Sequence, residues 1–436
     1  MSEERSEMDS FDLIVVGAGP AGSTAALEAA RSGFKVLLLE RAKSAGEKNV
    51  FGGRVYAHAL KKLFPGYPEG IPYERFVVSE SVGMMDDDRC TTVNFTDHRI
   101  RARDADSFVA RRSRLDKWLS EKAEEAGAVI VTSTKVDDLL IQDGRVRGIV
   151  SGGDRLEASC VIDAEGVTAT LSRIGGVRND VTPQQMKVGV KETVYFGKDE
   201  INRRFSLDDE EGLAQIFVGY PSSYMPAGGA FLYTNSESVS IGIVVDPVEL
   251  SSRRLEVHEL LESFRLHPHM QRVLRGGKII EYSAHMIPNS VPREPSNLVG
   301  DGFIVAGDAA GFFINNGYTY RGVDLAMTSG MAAARTFKDA AAAGSFDRAS
   351  LMTYTKHLEA EGLMAEMSAA EDNYDILHNE RIFSLYPKVV CDFMSAMFRV
   401  EGFGKRKLSK TAKDTISGRV SMLRMMRDLY SVYRHM

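Results

Sequence analysis

A glycine-rich turn followed by a distant carboxylate is the part of this sequence whose spacing indicates chemistry. The turn is Gly17-x-Gly19-x-x-Gly22, within FDLIVVGAGPAG, and Glu40 lies 23 residues after Gly17. Gly17 permits a tight strand-to-helix turn, Gly19 lets the backbone approach a pyrophosphate, and Gly22 allows close helix packing. A carboxylate at the distance of Glu40 can accept hydrogen bonds from ribose hydroxyls. We therefore expect a dinucleotide at this turn.

The elements that must position this turn form a strand–helix–strand unit. Residues 11–16 and 35–39 are apolar runs typical of buried parallel strands. Between them, an alanine-rich segment predicts a helix that ends at Gly33. Residues 161–164 and 303–306 are predicted strands that also close on glycine-containing turns. The pattern predicts an α/β fold with a Rossmann-type dinucleotide-binding domain.

Composition narrows the class of protein. The 436 residues are 44% hydrophobic and carry a net charge of −6, which predicts a substantial core and gives no case for nucleic-acid binding. The polar N-terminus is not typical of a secretory signal, and no run of about 18 apolar residues predicts a transmembrane helix. Cys90, Cys160 and Cys391 form no C-x-x-C pair, so we expect a reducing cytoplasm and no cluster ligands in this chain. We expect no metal site among four scattered histidines, because they lack metal-ligand spacing: His58, His267, His269 and His285.

Three motifs together resemble the glutathione-reductase-type flavoprotein superfamily. They are VVGAGPAG, then AEG at 164–166, and then AGDAAG at 306–311. The resemblance implies non-covalently bound FAD, with its pyrophosphate on the first motif and Asp308 on the ribityl chain. A carboxylate suits a row of hydroxyls. The next helix is expected to begin near Gly317 and to direct its positive end at the flavin.

Two further segments resemble parts of the same superfamily. FVARRSRLDKWL implies that Arg112 touches the cofactor. TSTKVDDLL resembles the strand whose backbone reaches adenine, through Val136. Glu165 replaces the aspartate that the superfamily usually has, which weakens any role for it. The full set of expected FAD-binding residues is Gly17, Ala18, Gly19, Pro20, Ala21, Gly22, Glu40, Arg41, Gly53, Arg54, Arg112, Val136, Gly166, Gly307, Asp308 and Gly317.

The middle of the chain resembles the electron-transfer flavoprotein:quinone oxidoreductase family. The residues that carry this resemblance are GGAFLYT at 228–234, GGKIIEYSA at 276–284 and NNGYTYRG at 315–322. SAGEKNVFGGRVYAHAL at 44–60 is similar to the FixC branch of that family. The resemblance implies an FAD subunit that takes electrons from an electron-transfer-flavoprotein heterodimer and passes them to membrane quinone. In FixC-type complexes the flavoprotein bifurcates its electrons, and ferredoxin or flavodoxin is also reduced, often for nitrogen fixation.

This resemblance also implies partners and a quinone site. Fused members of the family carry cluster-ligating cysteines, which this chain lacks, so a small ferredoxin-like iron–sulfur subunit is expected. The quinone is expected at Gly228-Gly229, although a strand kink would also explain the two glycines. Gly52-Gly53 and Arg54 are expected near the isoalloxazine, and no side chain is expected to act as a catalyst. Tyr318 and Tyr320 either line the flavin pocket or pack in the core.

The predicted domain organisation is discontinuous. Residues 1–180 and 290–345 are assigned to the FAD-binding domain, which includes a flavin-proximal segment at 45–110. Residues 181–289 form a β-rich quinone or substrate domain, with two antiparallel strands around 234–236. Residues 346–436 form a helical C-terminal region. The fold class is therefore α/β, a glutathione-reductase-type FAD domain with an inserted mixed α+β domain and a helical C-terminal region.

The C-terminal segment differs in charge from the rest of the chain. From Glu401 onward there are nine Lys and Arg against three acids. Apolar side chains recur there with the period of one helical face, with Arg424, Arg427 and Arg434 largely off that face. These apolar residues are Met422, Leu423, Met426, Leu429, Tyr430 and Tyr433. The face either packs on its own domain, docks a partner subunit or contacts anionic lipid, and the expected location is the cytoplasmic face of a membrane.

Two other functions share the first motifs. A self-sufficient FAD hydroxylase or a geranylgeranyl-reductase-like enzyme would have the same fingerprint and the same Asp308 motif. A scaffold that holds flavin without turnover would also keep Glu40 and Asp308. The GGAFLYT and GGKIIEYSA segments favour the quinone oxidoreductase.

Overall fold

The structure is a computed structural model that describes residues 10–47, 53–221, 228–289, 298–371, 373–400, 402 and 407–435. Gly52 of the expected flavin-proximal segment lies outside these residues. The strands are β1 (Ser10–Val16), β2 (Val36–Leu39), β3 (Gly53–Tyr56), β4 (Arg75–Met85), β5 (Cys90–Thr96), β6 (Ser107–Ala110), β7 (Val129–Val131), β8 (Asp138–Gln142), β9 (Arg145–Ser151), β10 (Asp154–Asp163), β11 (Met186–Tyr195), β12 (Glu211–Gly219), β13 (Gly229–Thr234), β14 (Ser238–Val245), β15 (Lys278–Pro288), β16 (Val299–Gly300), β17 (Phe303–Val305), β18 (Ile314–Asn315) and β19 (Tyr320–Arg321).

Helices connect and cover these strands. They are α1 (Pro20–Arg31), α2 (His58–Leu63), α3 (Arg112–Glu125), α4 (Thr170–Ile174), α5 (Lys198–Phe205), α6 (Pro247–Arg253), α7 (Val257–Leu266), α8 (Pro268–Val273), α9 (Val323–Ala343), α10 (Arg348–Leu351), α11 (Thr353–Ala360), α12 (Leu363–Glu371), α13 (Tyr374–Leu377), α14 (Tyr386–Phe398), α15 (Leu408–Ile416) and α16 (Met422–His435). The predicted first helix is confirmed as α1, and Gly33 follows its end with a φ of +87°.

The first sheet is the predicted Rossmann-type sheet. Its path through the described residues is β16-β17-β10-β1-β2-β7, with β9 and β8 added beside β10. β17, β10, β1, β2 and β7 are mutually parallel, so in chain order they run 5-4-1-2-3, the doubly wound arrangement. The predicted strands at 11–16, 35–39 and 303–306 are confirmed to within a residue. The strand predicted at 161–164 is the end of the longer β10.

The second sheet contains most of the middle of the chain. Its described path is β15-β11-β14-β13-β12-β4-β6-β3, with β5 beside β4. The predicted antiparallel pair around 234–236 is confirmed as β13 and β14. The strands between 53 and 110 pair in this sheet rather than in the first one. The division of the chain into domains stays a prediction, and this pairing is the observation that most affects where its boundaries would fall.

The start of the long helix α9 corrects one expectation. The sequence places a helix near Gly317, but α9 begins at Val323. Residues 314–321 instead form a short hairpin of β18 and β19. The Asn315 side chain accepts a hydrogen bond from the Gly317 amide (2.9 Å), and the Asn316 side chain accepts one from the Thr319 amide (3.1 Å). These side-chain bonds stabilise a turn where the glycine pattern alone predicts a helix start.

In the C-terminal region, α14 packs on the second sheet, against β4 and β5, whereas α11 and α12 pack on α9. Within the described part of the chain, no helix is both long and apolar enough to cross a bilayer. The predicted amphipathic helix is confirmed as α16. Its apolar face does not pack on the rest of the chain, so the first of its three interpretations is wrong.

Substituting Gly330 tests how closely α1 and α9 must approach. A Cβ added at Gly330 would lie 2.3 Å from the Ala21 carbonyl oxygen. Alanine in a helix normally stabilises by about 1 kcal/mol relative to glycine. Here Gly330→Ala should instead lower the free energy of unfolding by about 1–3 kcal/mol, because backbone atoms must move apart. Urea unfolding measures the difference.

The matched control is Gly66→Ala, since a Cβ at Gly66 would meet no protein atom within 4 Å. This variant should unfold within about 0.5 kcal/mol of the unsubstituted protein. A Gly330→Ala protein that is as stable as the control would contradict the close contact between the two helices.

Candidate functional site

The register of the first sheet brings the predicted motifs to one edge. Val16 is paired with Leu39 of β2 and with Asp163 of β10, and Asp163 is paired with Val305 of β17. Each of these strands therefore ends at the same level, and the residue after each end belongs to a predicted motif or its turn. The glycine turn, Glu40, the 164–166 turn and the Asp308 turn consequently meet, as ligand-binding loops do in doubly wound folds.

Glycines at this edge allow backbone to touch backbone. A Cβ at Gly17, which has a φ of +100°, would lie 2.3 Å from the Ala164 carbonyl oxygen, and a Cβ at Gly22 would lie 1.9 Å from the Gly17 oxygen. Gly19 differs, because a Cβ there would meet no protein atom within 4 Å. Gly19 lines the cavity at this edge, so a side chain would occupy space left open in front of α1.

Polar groups around this cavity can receive an anionic ligand with hydroxyl groups. Gly19 precedes α1, and no side-chain hydrogen bond caps the start of that helix in the described structure. The Glu40 carboxylate accepts hydrogen bonds from the amides of Ala18 (3.0 Å) and Ala42 (2.8 Å). Each carboxylate oxygen has a second lone pair, so these two bonds fix Glu40 and leave acceptor capacity. Arg41 lines the same part of the cavity.

A buried ion pair holds Arg112 against the cavity wall. Its guanidinium donates to both carboxylate oxygens of Asp116, at 2.7 and 2.8 Å, and the Asp116 side chain is fully buried. Burial alone would lower the pKa of Arg112, but Asp116, together with the more distant Asp308, raises it above its ordinary value. A fixed positive charge therefore lies in the cavity wall near Asp308.

The second sheet forms the opposite wall of the cavity. Phe231 and Tyr233 from β13, Val244 from β14 and His285 from β15 line it. Burial lowers the pKa of His285 to about 4, with Arg112 and Arg41 adding to the effect, so its imidazole is neutral near pH 7. Burial also raises the pKa of the Tyr233 phenol, which therefore keeps its proton. This wall is largely apolar and uncharged.

Arg54 is held at the rim of the same cavity. Its Nε donates to the Ser107 hydroxyl (2.9 Å), its guanidinium pairs with Glu80, and it lies over the Tyr56 ring at 4.5 Å from the centroid. The Tyr56 hydroxyl in turn donates to the Thr319 hydroxyl at 3.0 Å. These contacts connect the second sheet with the hairpin before α9.

A small crevice adjoins the main cavity at Gly228-Gly229. Gly228, Gly229 and Gly317 line it together with Leu377 and Phe383 from the C-terminal region. Tyr320 lines both the crevice and the main cavity. A Cβ at Gly229 would lie 3.1 Å from the Tyr320 hydroxyl oxygen, so the missing side chain leaves this phenol in place.

The main cavity has a volume of about 370 Å³ and contains most of the predicted FAD-binding residues. Those that line it are Gly17, Gly19, Pro20, Ala21, Glu40, Arg41, Gly53, Arg54, Arg112, Val136, Gly166 and Asp308. Ala18, Gly22 and Gly307 are buried behind the lining, and Gly317 lies at the crevice. Val136 is in the loop between β7 and β8 rather than in a strand. The roles of these residues stay predictions.

Several lining residues were missed by sequence reasoning. Phe231 and Tyr233 lie two apart on β13, and this alternation after Gly228-Gly229 could have indicated that both face the cavity. His285 shows no sequence signal, because only the register of β15 with β11 brings it to the wall. Of the two tyrosines considered, Tyr320 lines the cavity, whereas Tyr318 is 52% exposed.

Family models match three parts of the chain. Residues 12–231 match the model described as FAD dependent oxidoreductase. Residues 188–287 match the model described as ETF-QO, ubiquinone-binding, and residues 374–436 match the ETF-QO/FixC family C-terminal domain.

Curated relatives match almost the whole chain. Protein FixC of Salmonella typhi is 39% identical over 424 residues, 96% of this chain and 97% of the relative. The chain belongs to the FixC and electron-transfer-flavoprotein–quinone oxidoreductase family. A second relative, the probable electron transfer flavoprotein-quinone oxidoreductase YdiS of Escherichia coli, is 39% identical over 423 residues, again 96% of this chain and 97% of the relative. This chain is therefore an FAD-dependent oxidoreductase.

A solved structure supports the fold. A geranylgeranyl bacteriochlorophyll reductase-like protein from Thermoplasma acidophilum superposes with a TM-score of 0.73, at 19% identity, over 97% of this chain and 99% of that one. At this identity the likeness concerns the architecture alone, a glutathione-reductase-type flavoprotein fold.

The residues present fit FAD. The open space at Gly19 and the uncapped start of α1 suit a pyrophosphate, and the carboxylates of Glu40 and Asp308 suit hydroxyl-rich sugar and ribityl groups. The apolar wall around Phe231 and Tyr233 suits an aromatic ring system.

Removing the carboxylate of Asp308 tests this arrangement. Asp308→Ala should weaken FAD binding about ten- to hundredfold, because a charge-assisted hydrogen bond to the ribityl chain is lost. The ratio of flavin absorbance to protein absorbance after purification measures occupancy. Asp106→Ala, at a carboxylate that is 94% exposed, should keep full occupancy. Full occupancy in both variants would contradict the assignment of Asp308.

Glu165 gives a prediction about pH. Burial, followed by the nearby Asp163 carboxylate, raises the pKa of Glu165 from 4.5 to about 7. The unfolded chain therefore loses this proton before the folded chain does. In the flavin-free protein, the free energy of unfolding should fall as the pH rises from about 4.5 to about 7.

Glu165→Gln should remove the part of this slope that Glu165 causes. The Asp163 carboxyl, whose pKa burial also raises, remains in the variant, so the difference between the two profiles measures the loss of Glu165 together with its interaction with Asp163. Urea unfolding at a series of pH values measures both profiles. Parallel profiles would show that Glu165 titrates normally.

Proposed function

We propose that this chain is the FAD subunit of a FixC-type complex, which takes electrons from an electron-transfer flavoprotein and passes them to membrane quinone. The observation that carries the proposal is the crevice at Gly228-Gly229, which adjoins the FAD cavity through Tyr320. An electron acceptor seated there would be separated from the flavin by little protein. The crevice lies partly within residues 188–287, which match the ubiquinone-binding family model.

The chain's own residues hold and orient the cofactor in this proposal. FAD, when bound, supplies the ring that accepts and releases electrons. The start of α1 binds its pyrophosphate, Glu40 binds the ribose, and Asp308 binds the ribityl chain. Gly53 and Arg54 line the cavity and would lie beside the ring, and the start of α9 at Gly322 would contribute the positive end of its dipole. No side chain is required as a nucleophile.

Backbone groups would receive the quinone. The absence of side chains at Gly228 and Gly229 lets a flat ring approach, and their amides can donate to a quinone carbonyl. Tyr320 keeps its proton, because burial raises its pKa, so the phenol is a second donor at the boundary between the cavity and the crevice. Leu377 and Phe383 supply an apolar surface for the ring.

The proposal includes partners and a location. The electron-transfer-flavoprotein heterodimer oxidises NADH and bifurcates the electron pair. One electron passes to this chain and then to quinone, and the other reduces ferredoxin or flavodoxin. A small ferredoxin-like subunit carries the iron–sulfur cluster. Cys160 and Cys391 are buried in this chain and Cys90 is half-buried, so all three lie in packed positions. The complex lies peripherally on the cytoplasmic face of the membrane.

Gly229→Val tests the quinone site. Two added methyl groups would collide with the Tyr320 hydroxyl and fill the crevice. Reoxidation of the photoreduced flavin by a short-chain quinone, followed anaerobically by stopped flow, should slow about tenfold or more, while flavin content stays normal.

Gly66→Ala serves as the control for glycine substitution and should react like the unsubstituted protein. Unchanged quinone kinetics in Gly229→Val would move the quinone site elsewhere. A protein that instead oxidises NAD(P)H without any partner would favour a self-sufficient reductase or hydroxylase.

A further inference from the structure

The C-terminal helix α16 is attached to the protein by its polar side. Asp428 is 5% exposed, and its carboxylate accepts two hydrogen bonds from the Arg381 guanidinium, at 2.7 and 2.8 Å, and one from the Tyr386 hydroxyl. These bonds hold the pKa of Asp428 at about 2, so the carboxylate stays charged. A buried, charged anchor of this kind fixes which side of the helix faces the protein.

The opposite side of α16 is apolar and faces solvent. At 3.6 residues per turn, Met422, Met426 and Tyr433 lie across the helix axis from Asp428. Leu423 is 82% exposed and Tyr433 is 85% exposed. The remaining exposed apolar side chains of this face are Met422, Met426, Leu429 and Tyr430. An amphipathic helix normally buries its apolar side, and this one does the reverse.

Three further exposed apolar side chains precede α16 in the chain. Phe398 and Val400, at the end of α14, and Leu408, at the start of α15, are also more than half exposed. Six exposed apolar side chains along one helical face mark an interaction site in a folded protein. We define the apolar face of α16 as the C-terminal apolar surface.

The charge of this region is the opposite of that of the whole chain. Arg424, Arg427 and Arg434 are exposed, and within the described residues none of them pairs with an acid. On α15, Lys410 and Lys413 are exposed as well. The whole chain carries a net charge of −6, whereas residues 402–436 contain nine Lys and Arg against Asp414 and Asp428. Asp428 is neutralised by Arg381.

We propose that the C-terminal apolar surface is the membrane-docking surface of this chain, with α16 lying in the interface of an anionic bilayer. This inference rests on the proposed transfer of electrons to a quinone dissolved in lipid. Leucine, methionine and tyrosine side chains enter the boundary between head groups and acyl chains, while the flanking arginines bind anionic head groups.

Two observations favour lipid over a partner subunit as the occupant. Helical spacing places the unpaired Arg427 and Arg434 at one edge of the apolar face, beside Leu423, and this arrangement suits a surface that is apolar in its interior and anionic at its rim. The crevice at Gly228-Gly229 is lined by Leu377 and Phe383 of the same C-terminal region, which the docked helix would bring close to the bilayer.

Vesicle sedimentation of the FAD-loaded protein tests the proposal. The protein should pellet with vesicles of phosphatidylglycerol mixed with phosphatidylcholine, and poorly with phosphatidylcholine alone. The double variant Leu423→Gln, Tyr433→Gln should bind at least about tenfold more weakly, because two apolar anchors are lost. Arg427→Gln, Arg434→Gln should bind about fivefold more weakly per arginine, a difference that high salt removes.

The matched control removes exposed apolar side chains elsewhere. Val93→Gln, Phe95→Gln alters two residues of β5 that are 59% and 62% exposed, and it should bind vesicles like the unsubstituted protein. Equal binding by the α16 variant would overturn the proposal, as would failure of the unsubstituted protein to bind anionic vesicles. In the latter case, binding of a purified partner subunit that the α16 variant abolishes would assign the surface to protein.

A second readout separates this inference from the proposed function. A water-soluble quinone should reoxidise the photoreduced flavin at the same rate in all of these proteins. A long-chain quinone in anionic vesicles should react more slowly with the Leu423→Gln, Tyr433→Gln protein, the α16 variant. If the soluble quinone does not reoxidise the unsubstituted protein, the proposed function fails whatever the vesicles show. If the α16 variant matches the unsubstituted protein with both quinones, only the docking surface is wrong.

Discussion

The site depends on one constraint, the contact of backbone with backbone where α1 leaves the first sheet. Gly17 lies against the Ala164 carbonyl, Gly22 lies against Gly17, and Gly330 of α9 lies against the Ala21 carbonyl. A side chain at any of these points would separate β1, β10, α1 and α9. Because glycine at these points lets the elements pack closely, the ends of the parallel strands stay level and their loops meet at one edge.

The second sheet turns this edge into an enclosed site. Its apolar face, with Phe231 and Tyr233, lies opposite the motif loops, and the hairpin before α9 closes the space between them. Charges in the walls are fixed by buried partners, as Arg112 is by Asp116, so the polarity of the cavity is set before any ligand binds. Tyr320 belongs to both the cavity and the adjoining crevice, and it therefore connects cofactor binding with the proposed release of electrons.

Local sequence predicts the first sheet well, but it predicts poorly the cavity wall that the second sheet forms. The strand–turn–helix unit at Gly17, Glu40 and the Asp308 turn has strong local signals, because glycine geometry and apolar runs act within a few residues. His285 enters the site through strand register over a long sequence distance, which no local pattern encodes. The helix expected near Gly317 begins at Val323, because Asn315 and Asn316 side chains stabilise a hairpin instead. Periodicity predicted α16, but only its attachment through Asp428 reveals which side faces outward.

A crystal structure of the FAD-loaded protein with a short-chain quinone bound would test the proposed electron route most directly. We expect the quinone ring to contact the Gly228 and Gly229 backbone, with the Tyr320 hydroxyl within hydrogen-bond distance of a quinone carbonyl. A quinone ring bound elsewhere, with the crevice between Gly229 and Phe383 closed, would contradict the proposed route of the electrons out of this chain.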